Sequence, residues 1–303
     1  MKKYPIVFFI FRRPESTAKI LKEIIKSNPP KLYIFSDAGR NEEEKAQVAK
    51  TREVVDYMLK KVDFPIIRQY QKHNIGPVNY IYSGLGYAFT KEKCLIIIED
   101  DCLPNQDFFT YCNYFLEKFI NNNNYGSISG ISLKGLKPGF YVSNLPRAWG
   151  WATWRRTWNI YEARYRTNLM VDNKVINRYF KNPISRWYWH KIIQLTNKGI
   201  IKGWDYNWIY FHLENNLLSI FPSKNLISNI GYDSMANNTS WKSPQLFVDR
   251  EKLPLSAYFD INDKIIITRK INNYSYVNIY TIIGLCKKMI ENLIFSINNA
   301  QSQ

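Results

Sequence analysis

The run Ile96-Ile97-Ile98-Glu99-Asp100-Asp101-Cys102-Leu103-Pro104 puts three carboxylic acids directly after a continuous apolar stretch. Carboxylates are costly inside a buried strand, so these three must leave the sheet where the apolar residues stop. Ligands of open α/β sheets bind outside the carboxyl ends of the strands. Oxygen donors placed there could hold Mg²⁺ or Mn²⁺, with a diphosphate completing the shell. The bland alternative is an acidic strand-to-helix loop in water.

Other residues could join such a site. Ser36-Asp37-Ala38-Gly39-Arg40 also follows an apolar run. Asp37 could accept hydrogen bonds from a base or ribose, or could simply make a turn. Arg12 and Arg13 follow the first apolar run; they could meet phosphate or belong to a solvated basic turn. Tryptophans stand at 149, 151, 154 and 158. Trp154 and Trp158, four apart, read as the core face of a helix. Trp149 and Trp151 flank Gly150, where a helix is disfavoured, and could line a sugar-binding wall. In Gly203-Trp204-Asp205-Tyr206-Asn207-Trp208, Asp205 falls at a helix start. Spacing alone favours a cap or first-turn acid, although a carboxylate there could also take the proton of an attacking hydroxyl.

The elements that must position these residues follow from periodicity. Short apolar runs at 5–11, 31–36, 65–70 and 95–98 predict strands. Between them, helical spacing predicts helices at 14–27, 42–61, 78–90 and 106–121. Strand–helix alternation of this kind implies an α/β fold with a mainly parallel sheet covered on both faces. Residues 95–98, apolar on both sides, belong in its middle. Further on, strands are expected at 126–133, 140–144, 218–221 and 226–230, two short helices broken by Pro183 at 172–197, and a helix opened by Gly203-Trp204-Asp205. Residues 277–298 read as a basic amphipathic helix with a stripe that includes Cys286, Met289 and Ile290.

Composition narrows the classes. Lys and Arg number 42 against 25 Asp and Glu, a net charge of +17. Such a field favours an anionic partner, whether a nucleotide diphosphate, a nucleic acid or an acidic membrane leaflet. No helix-turn-helix, zinc-finger or RNA-recognition pattern accompanies the charge, so no nucleic-acid partner is expected. The four cysteines form no C-x-x-C pair and the three histidines have no ligand spacing, which argues for reduced thiols and against zinc. The apolar stretch near the N-terminus runs straight into Arg12-Arg13-Pro14 and reads as a first strand rather than a leader.

Together, residues 5–21, 34–40, Asn74-Ile75-Gly76, 96–109, Trp149-Gly150-Trp151-Ala152-Thr153-Trp154 and 204–208 resemble inverting GT-A glycosyltransferases. The chain is similar to bacterial family-2-like sugar transferases and, more distantly, to N-acetylglucosaminyltransferase I. The resemblance implies a GT-A fold over residues 1–245 and a C-terminal helical extension over 246–303. It implies a nucleotide-sugar donor, with a UDP-sugar favoured, and transfer with inversion to a hydroxyl of a glycan or lipid-linked acceptor in cell-surface polysaccharide synthesis. Asp101 would bind Mn²⁺ or Mg²⁺, Glu99 and Asp100 would contact ribose and donor sugar, Asp37 the base, and Asp205 would be the catalytic base. Arg12 and Arg13 would lie on the donor side, Trp149 and Trp151 on the acceptor side. One departure stands out: relatives often carry a histidine where this chain has Asn238. A cytoplasmic protein is expected, able to attach peripherally to an anionic membrane surface through residues 277–298. The rival enzyme class is a nucleotidyltransferase, but Phe11-Arg12-Arg13-Pro14-Glu15 lacks the glycine-rich loop it would need; the rival non-enzyme is a basic nucleic-acid-binding protein.

Overall fold

Strand β1 (Ile6–Ile10) is buried along its whole length. Ile6, Phe8 and Ile10 turn to one face and Val7 and Phe9 to the other. Alternating side chains need apolar cover on both sides, and the helices supply it. A computed structural model describes residues 1–132, 139–165, 171–201, 203–231, 284–286 and 289–291. Helices α1 (Pro14–Ser27), α2 (Glu42–Met58) and α4 (Gln106–Lys118) cover the first face. Helices α3 (Pro77–Lys91), α5 (Arg155–Tyr165) and α8 (Trp204–Glu214) cover the second.

The other main strands are β2 (Leu32–Ser36), β3 (Ile66–Tyr70), β4 (Cys94–Glu99), β6 (Tyr125–Ser129), β7 (Phe140–Ser143), β8 (Trp151–Trp154) and β9 (Leu218–Pro222). Among the described residues they form one sheet in the order β3-β2-β1-β4-β8-β6-β9-β7. The β3-β2-β1-β4 half is parallel throughout. The fold class is the expected α/β, with β7 and β8 as antiparallel members. The chain leaves β1 for β2 and β3 on one side, then crosses back to β4 on the other. The carboxyl ends of β1 and β4 therefore flank a topological switch point, where such sheets open a crevice.

Two local expectations are corrected. Trp154 and Trp158 do not share a helix: Trp154 ends β8, while Trp158 lies on α5. Both are core residues nonetheless. The segment after α5 holds α6 (Asn173–Tyr179) and α7 (Pro183–Asn197). Pro183 opens the second of these as its first residue, where a missing N–H costs nothing, and at four turns α7 is not short. A small antiparallel pair, β5 (Cys102–Pro104) with β10 (Ile227–Asn229), also forms directly after the acid run.

Helix α8 is apolar on two sides. Trp204, Trp208 and Phe211 face the sheet, while Ile209, Tyr210 and Leu213 meet α6 and α7. Leu285 is buried in that same α6–α8 cluster and Met289 packs against it, whereas Ile290 is exposed. Leu285 and Met289 thus pack on the domain; the undescribed remainder of 277–298, the 245/246 boundary and Asn238 lie outside the described residues.

Gly150 packs against Ile227 of β10, part of the core on the first face of the sheet. Its φ is +58°, and a Cβ there would fall 2.4 Å from Ile227 Cδ1. Its carbonyl also accepts the Gly130 N–H at 2.7 Å. Left-handed backbone costs a residue with a side chain about 1–2 kcal/mol, and overpacking adds about 1–3 kcal/mol. Gly150→Ala is therefore expected to lower the thermal midpoint by several degrees. An unchanged midpoint in calorimetry would refute this account of the turn.

Candidate functional site

Three acids end β4, and each meets a different environment. Glu99 is the last strand residue and is half-buried. Asp100 Oδ2 accepts the Phe11 N–H at 2.8 Å, which ties the ends of β4 and β1 together. Arg13 Nη1 lies 3.3 Å from Asp100 Oδ1 and 3.3 Å from Asp101 Oδ2. One guanidinium from the end of β1 thus serves two carboxylates from the end of β4. Burial pushes the Asp100 carboxyl up to about 6, with Arg13 and the Phe11 N–H opposing. Glu99 is pushed well above the usual carboxylate range, first by burial and then by Asp101, Asp100 and Asp205. The influence of Asp205 matters, because it lies over a hundred residues away in the chain. The fold brings it into the electrostatic field of the β4 acids.

Asp205 is not the cap of α8. Gly203 is the capping residue and makes no side-chain bond. Asp205 lies in the first turn, where its own backbone N–H and that of Tyr206 favour the charged carboxylate. Burial raises its pKa, while those N–H groups and Arg147 oppose the rise. Tyr206 is hydrogen-bonded to Tyr188 of α7. Trp151 lies beneath this turn, its ring centroid 5.4 Å from that of Trp204 and 5.2 Å from that of Trp208. At 1% exposure it supports the base of α8 and offers no face to a ligand. Trp149 is half-buried. Register pairs Ile97 with Trp151. Glu99 lies two residues past that pair on one strand and Trp149 two residues before it on the other, so both emerge at the same edge of the sheet.

Asp37 is 4% exposed and is spent on local structure. Its Oδ1 accepts the N–H of Ala38 at 2.9 Å and of Ile75 at 3.1 Å. Its Oδ2 accepts Gly76 N–H at 3.1 Å and Asn74 Nδ2 at 3.0 Å. These bonds use the acceptor capacity of a carboxylate and clamp the Asn74-Ile75-Gly76 turn to the end of β2. Arg52 of α2 adds bonds to the carbonyls of Ser36, Asp37 and Gln71. The Tyr80 hydroxyl, 2.9 Å from Ile10 N and 2.6 Å from the Phe35 carbonyl, fastens the end of β1 to that of β2.

Several residues here escaped the sequence reading. Glu44 looked like a first-turn acid of α2, yet its side chain points at two arginines. It accepts from Arg12 Nη1 at 2.7 Å and from Arg40 Nε at 2.8 Å. Those bonds, the Arg40 ones foremost, lower its pKa to about 2. Arg147 acts on Asp205 through space, and only its place in an aromatic stretch hinted at it. A buried polar chain fixes its backbone: Ser129 Oγ lies 3.0 Å from both Arg147 N and O, and 3.1 Å from Ser219 Oγ. Ser219 Oγ is 2.9 Å from Ser127 Oγ, which is 3.2 Å from His212 Nε2. His212 Nδ1 is 3.0 Å from the Trp208 carbonyl, and burial depresses its pKa to about 3.

The acids do not form a ready-made metal cage. Among the described residues no three His, Cys, Asp or Glu side chains come together as a ligand set. Asp101 is nevertheless a hard oxygen donor with a side chain 26% exposed, the chemistry that Mg²⁺ or Mn²⁺ takes. An ion there would draw one carboxylate from the protein and its other ligands from water or a bound anion. Gly231 closes this corner. A Cβ there would fall 2.6 Å from Asp101 Cβ, and the Ile230 N–H donates to the Asp101 carbonyl at 2.7 Å.

No family model and no curated protein matches the chain. Among solved structures it is similar to a mannosyltransferase from Pyrobaculum calidifontis in complex with GDP-Man and Mn²⁺, at 12% identity and a TM-score of 0.41, covering 71% of this chain and 69% of that one. It is also similar to 4-diphosphocytidyl-2C-methyl-D-erythritolsynthase from Anaerococcus prevotii DSM 20548, at 8% identity and a TM-score of 0.38, covering 60% and 84% respectively. Likenesses this distant carry no inference about activity.

The Glu44 contact has a testable pH signature. A carboxyl whose folded pKa is depressed stabilises the fold above its unfolded pKa and loses that contribution as pH falls through the folded value. Glu44→Gln should therefore lower the thermal midpoint at pH 7. The gap to wild type should narrow as pH drops from about 4.5 towards about 2. A gap that does not change with pH would show that the arginines do not depend on the charge of Glu44.

Proposed function

We propose that the chain is a glycosyltransferase that moves a sugar from a nucleotide-sugar donor to an acceptor hydroxyl with inversion. One observation carries the reading: Asp205, from α8, stands in the same electrostatic field as the acids that end β4, at the switch point of the sheet. A carboxylate on a separate element, within the field of the acids that would serve the donor, is what a single displacement needs.

The roles divide across the crevice. Arg12 and Arg13 line the end of β1 and suit the negative charge of a diphosphate. Asp37 shapes the base subsite by holding the Asn74-Ile75-Gly76 turn. Glu99 and Asp100 contact the ribose and donor sugar; with its pKa raised, Glu99 is suited to donate as well as accept a hydrogen bond. Asp101 would hold Mg²⁺ or Mn²⁺, which neutralises charge on a leaving diphosphate when bound. Asp205 accepts the proton of the acceptor hydroxyl as that oxygen attacks the anomeric carbon and the bond to the diphosphate breaks. Its raised pKa moves it towards the range of an effective general base. Trp149 forms the acceptor wall, and Trp151 carries the turn that holds Asp205. Placing donor and acceptor in line supplies much of the acceleration. A glycan or lipid-linked sugar supplies the hydroxyl, and a UDP-sugar is the first donor to try.

Calorimetry with UDP- and GDP-sugars, with and without Mn²⁺, followed by product analysis, tests the proposal. Release of nucleoside diphosphate supports it; release of pyrophosphate from a nucleoside triphosphate would instead indicate a nucleotidyltransferase. Asp205→Asn should cut turnover by about 10²–10⁴-fold and leave donor affinity and thermal stability nearly unchanged. Near-normal turnover would remove Asp205 from the base role. Asp101→Ala should abolish the Mn²⁺-dependent part of donor binding while far-UV circular dichroism stays native. Persistent Mn²⁺ stimulation in that variant would exclude Asp101 as the ligand.

A further inference from the structure

Helix α7 presents two large apolar side chains to water at its first turns. Ile184 is 56% exposed and Trp187 is 39% exposed. They stand three residues apart, so they share a face of the helix. The segment that carries them is one-sided in charge, with Arg178 and Lys181 beside the tip itself. Residues 171–201 contain Lys174, Arg178, Lys181, Arg186, Lys191 and Lys198, but a single acid, Asp172. That acid caps α6 through the Lys174 N–H at 2.7 Å.

The tip is held in shape by its own bonds. Asn182 caps α7, accepting from Ile184 N at 2.8 Å. Arg186 reaches back to the carbonyls of Phe180 at 2.9 Å and Lys181 at 2.7 Å. Ile184 and Trp187 therefore project from an ordered turn. Directly behind them, Tyr188 and Trp189 are buried. Tyr188 hydrogen-bonds Tyr206, the neighbour of Asp205.

We propose that this tip of α6 and α7 is a membrane-contact surface seated on an anionic bilayer. Trp187 and Ile184 would enter the headgroup–acyl boundary, where an indole ring is well accommodated. The surrounding lysines and arginines would meet lipid phosphates. Charge complementarity selects this occupant over a second copy of the chain, whose own tip would repel it. Through Tyr188 and Tyr206 the tip lies close to Asp205, which would bring a lipid-linked acceptor near that carboxylate; that consequence rests on the glycosyl-transfer reading, whereas the membrane contact does not.

Flotation of the full chain with vesicles separates the two. Wild type should rise with phosphatidylglycerol–phosphatidylcholine vesicles, stay down with pure phosphatidylcholine, and release as salt is raised. The double substitution Ile184→Ser and Trp187→Ala should lower partitioning roughly tenfold without lowering the thermal midpoint. Arg178→Glu with Lys181→Glu, at the end of α6 and in the connection to α7, should do the same and flatten the salt dependence. Turnover on a soluble acceptor should be unchanged in both. Wild type that ignores anionic vesicles, or an Ile184/Trp187 variant that still floats with them, overturns the proposal. So does a dimer in sedimentation that the apolar substitutions convert to monomer, because a second copy would then be the occupant.

Discussion

Arg13 stands 3.3 Å from two carboxylates that neighbour each other in the chain, and much of the fold serves to keep it there. Asp100 and Asp101 emerge from a strand whose other residues are buried, so solvent can screen them only in part. Removing the guanidinium would leave buried like charges uncompensated, which is the expensive way to break such a group. The contact requires β1 and β4 to be neighbours and to end together. It also requires the first turn after β1 to aim inwards. The parallel pairing of Phe9 with Glu99 meets the first condition. The second is met by the bond from Phe11 N–H to Asp100 and by Pro14, which starts α1 at once.

The opposite wall depends on aromatic packing. The Asp205 carboxylate is favoured in its charged form by backbone N–H groups in the first turn of α8 and by Arg147. The direction of α8 therefore decides where that carboxylate points. Trp204 and Trp208 fix the direction by packing on Trp151. Tyr161, with its ring centroid 4.8 Å from that of Trp208, does the same from α5. Rigid rings with few rotatable bonds lose little entropy when buried, so they make a firm seat for a reactive group.

Much of this was legible from local pattern. The alternation of apolar runs and helical spacing through Lys118 needs only periodicity, and α1 begins and ends where Pro14 and Ser27 mark it. The acid run was readable because charge directly after a buried strand has few places to go. What escaped depends on distance in the chain. Trp151–Trp154 forms a strand because β4 and β6 lie on either side of it, yet with Trp158 the tryptophans imitate helical spacing. Glu44 suits the start of any helix, and nothing near it announces Arg12. Asp37 has the residue type of a ligand contact, but its four donors come mostly from a turn more than thirty residues away. Asp205 was readable as a first-turn acid; its nearness to Glu99 was not.

The polar chain from Arg147 to the Trp208 carbonyl ties both walls together. The Trp208 carbonyl can only accept, so His212 Nδ1 donates to it and Nε2 is left as an acceptor facing the Ser127 hydroxyl. Each serine hydroxyl carries one proton, so the direction of every bond in the row depends on its neighbours. Four contacts share the three hydroxyl protons of Ser127, Ser129 and Ser219, so the row cannot be edited one member at a time. Exchanging a single serine for alanine strands a donor or acceptor in a dry interior. Replacing the whole set with well-fitted apolar groups would cost far less. Natural variation at Ser127, Ser129, Ser219 and His212 should therefore occur in blocks, and a lineage that changes one of them should change the others with it.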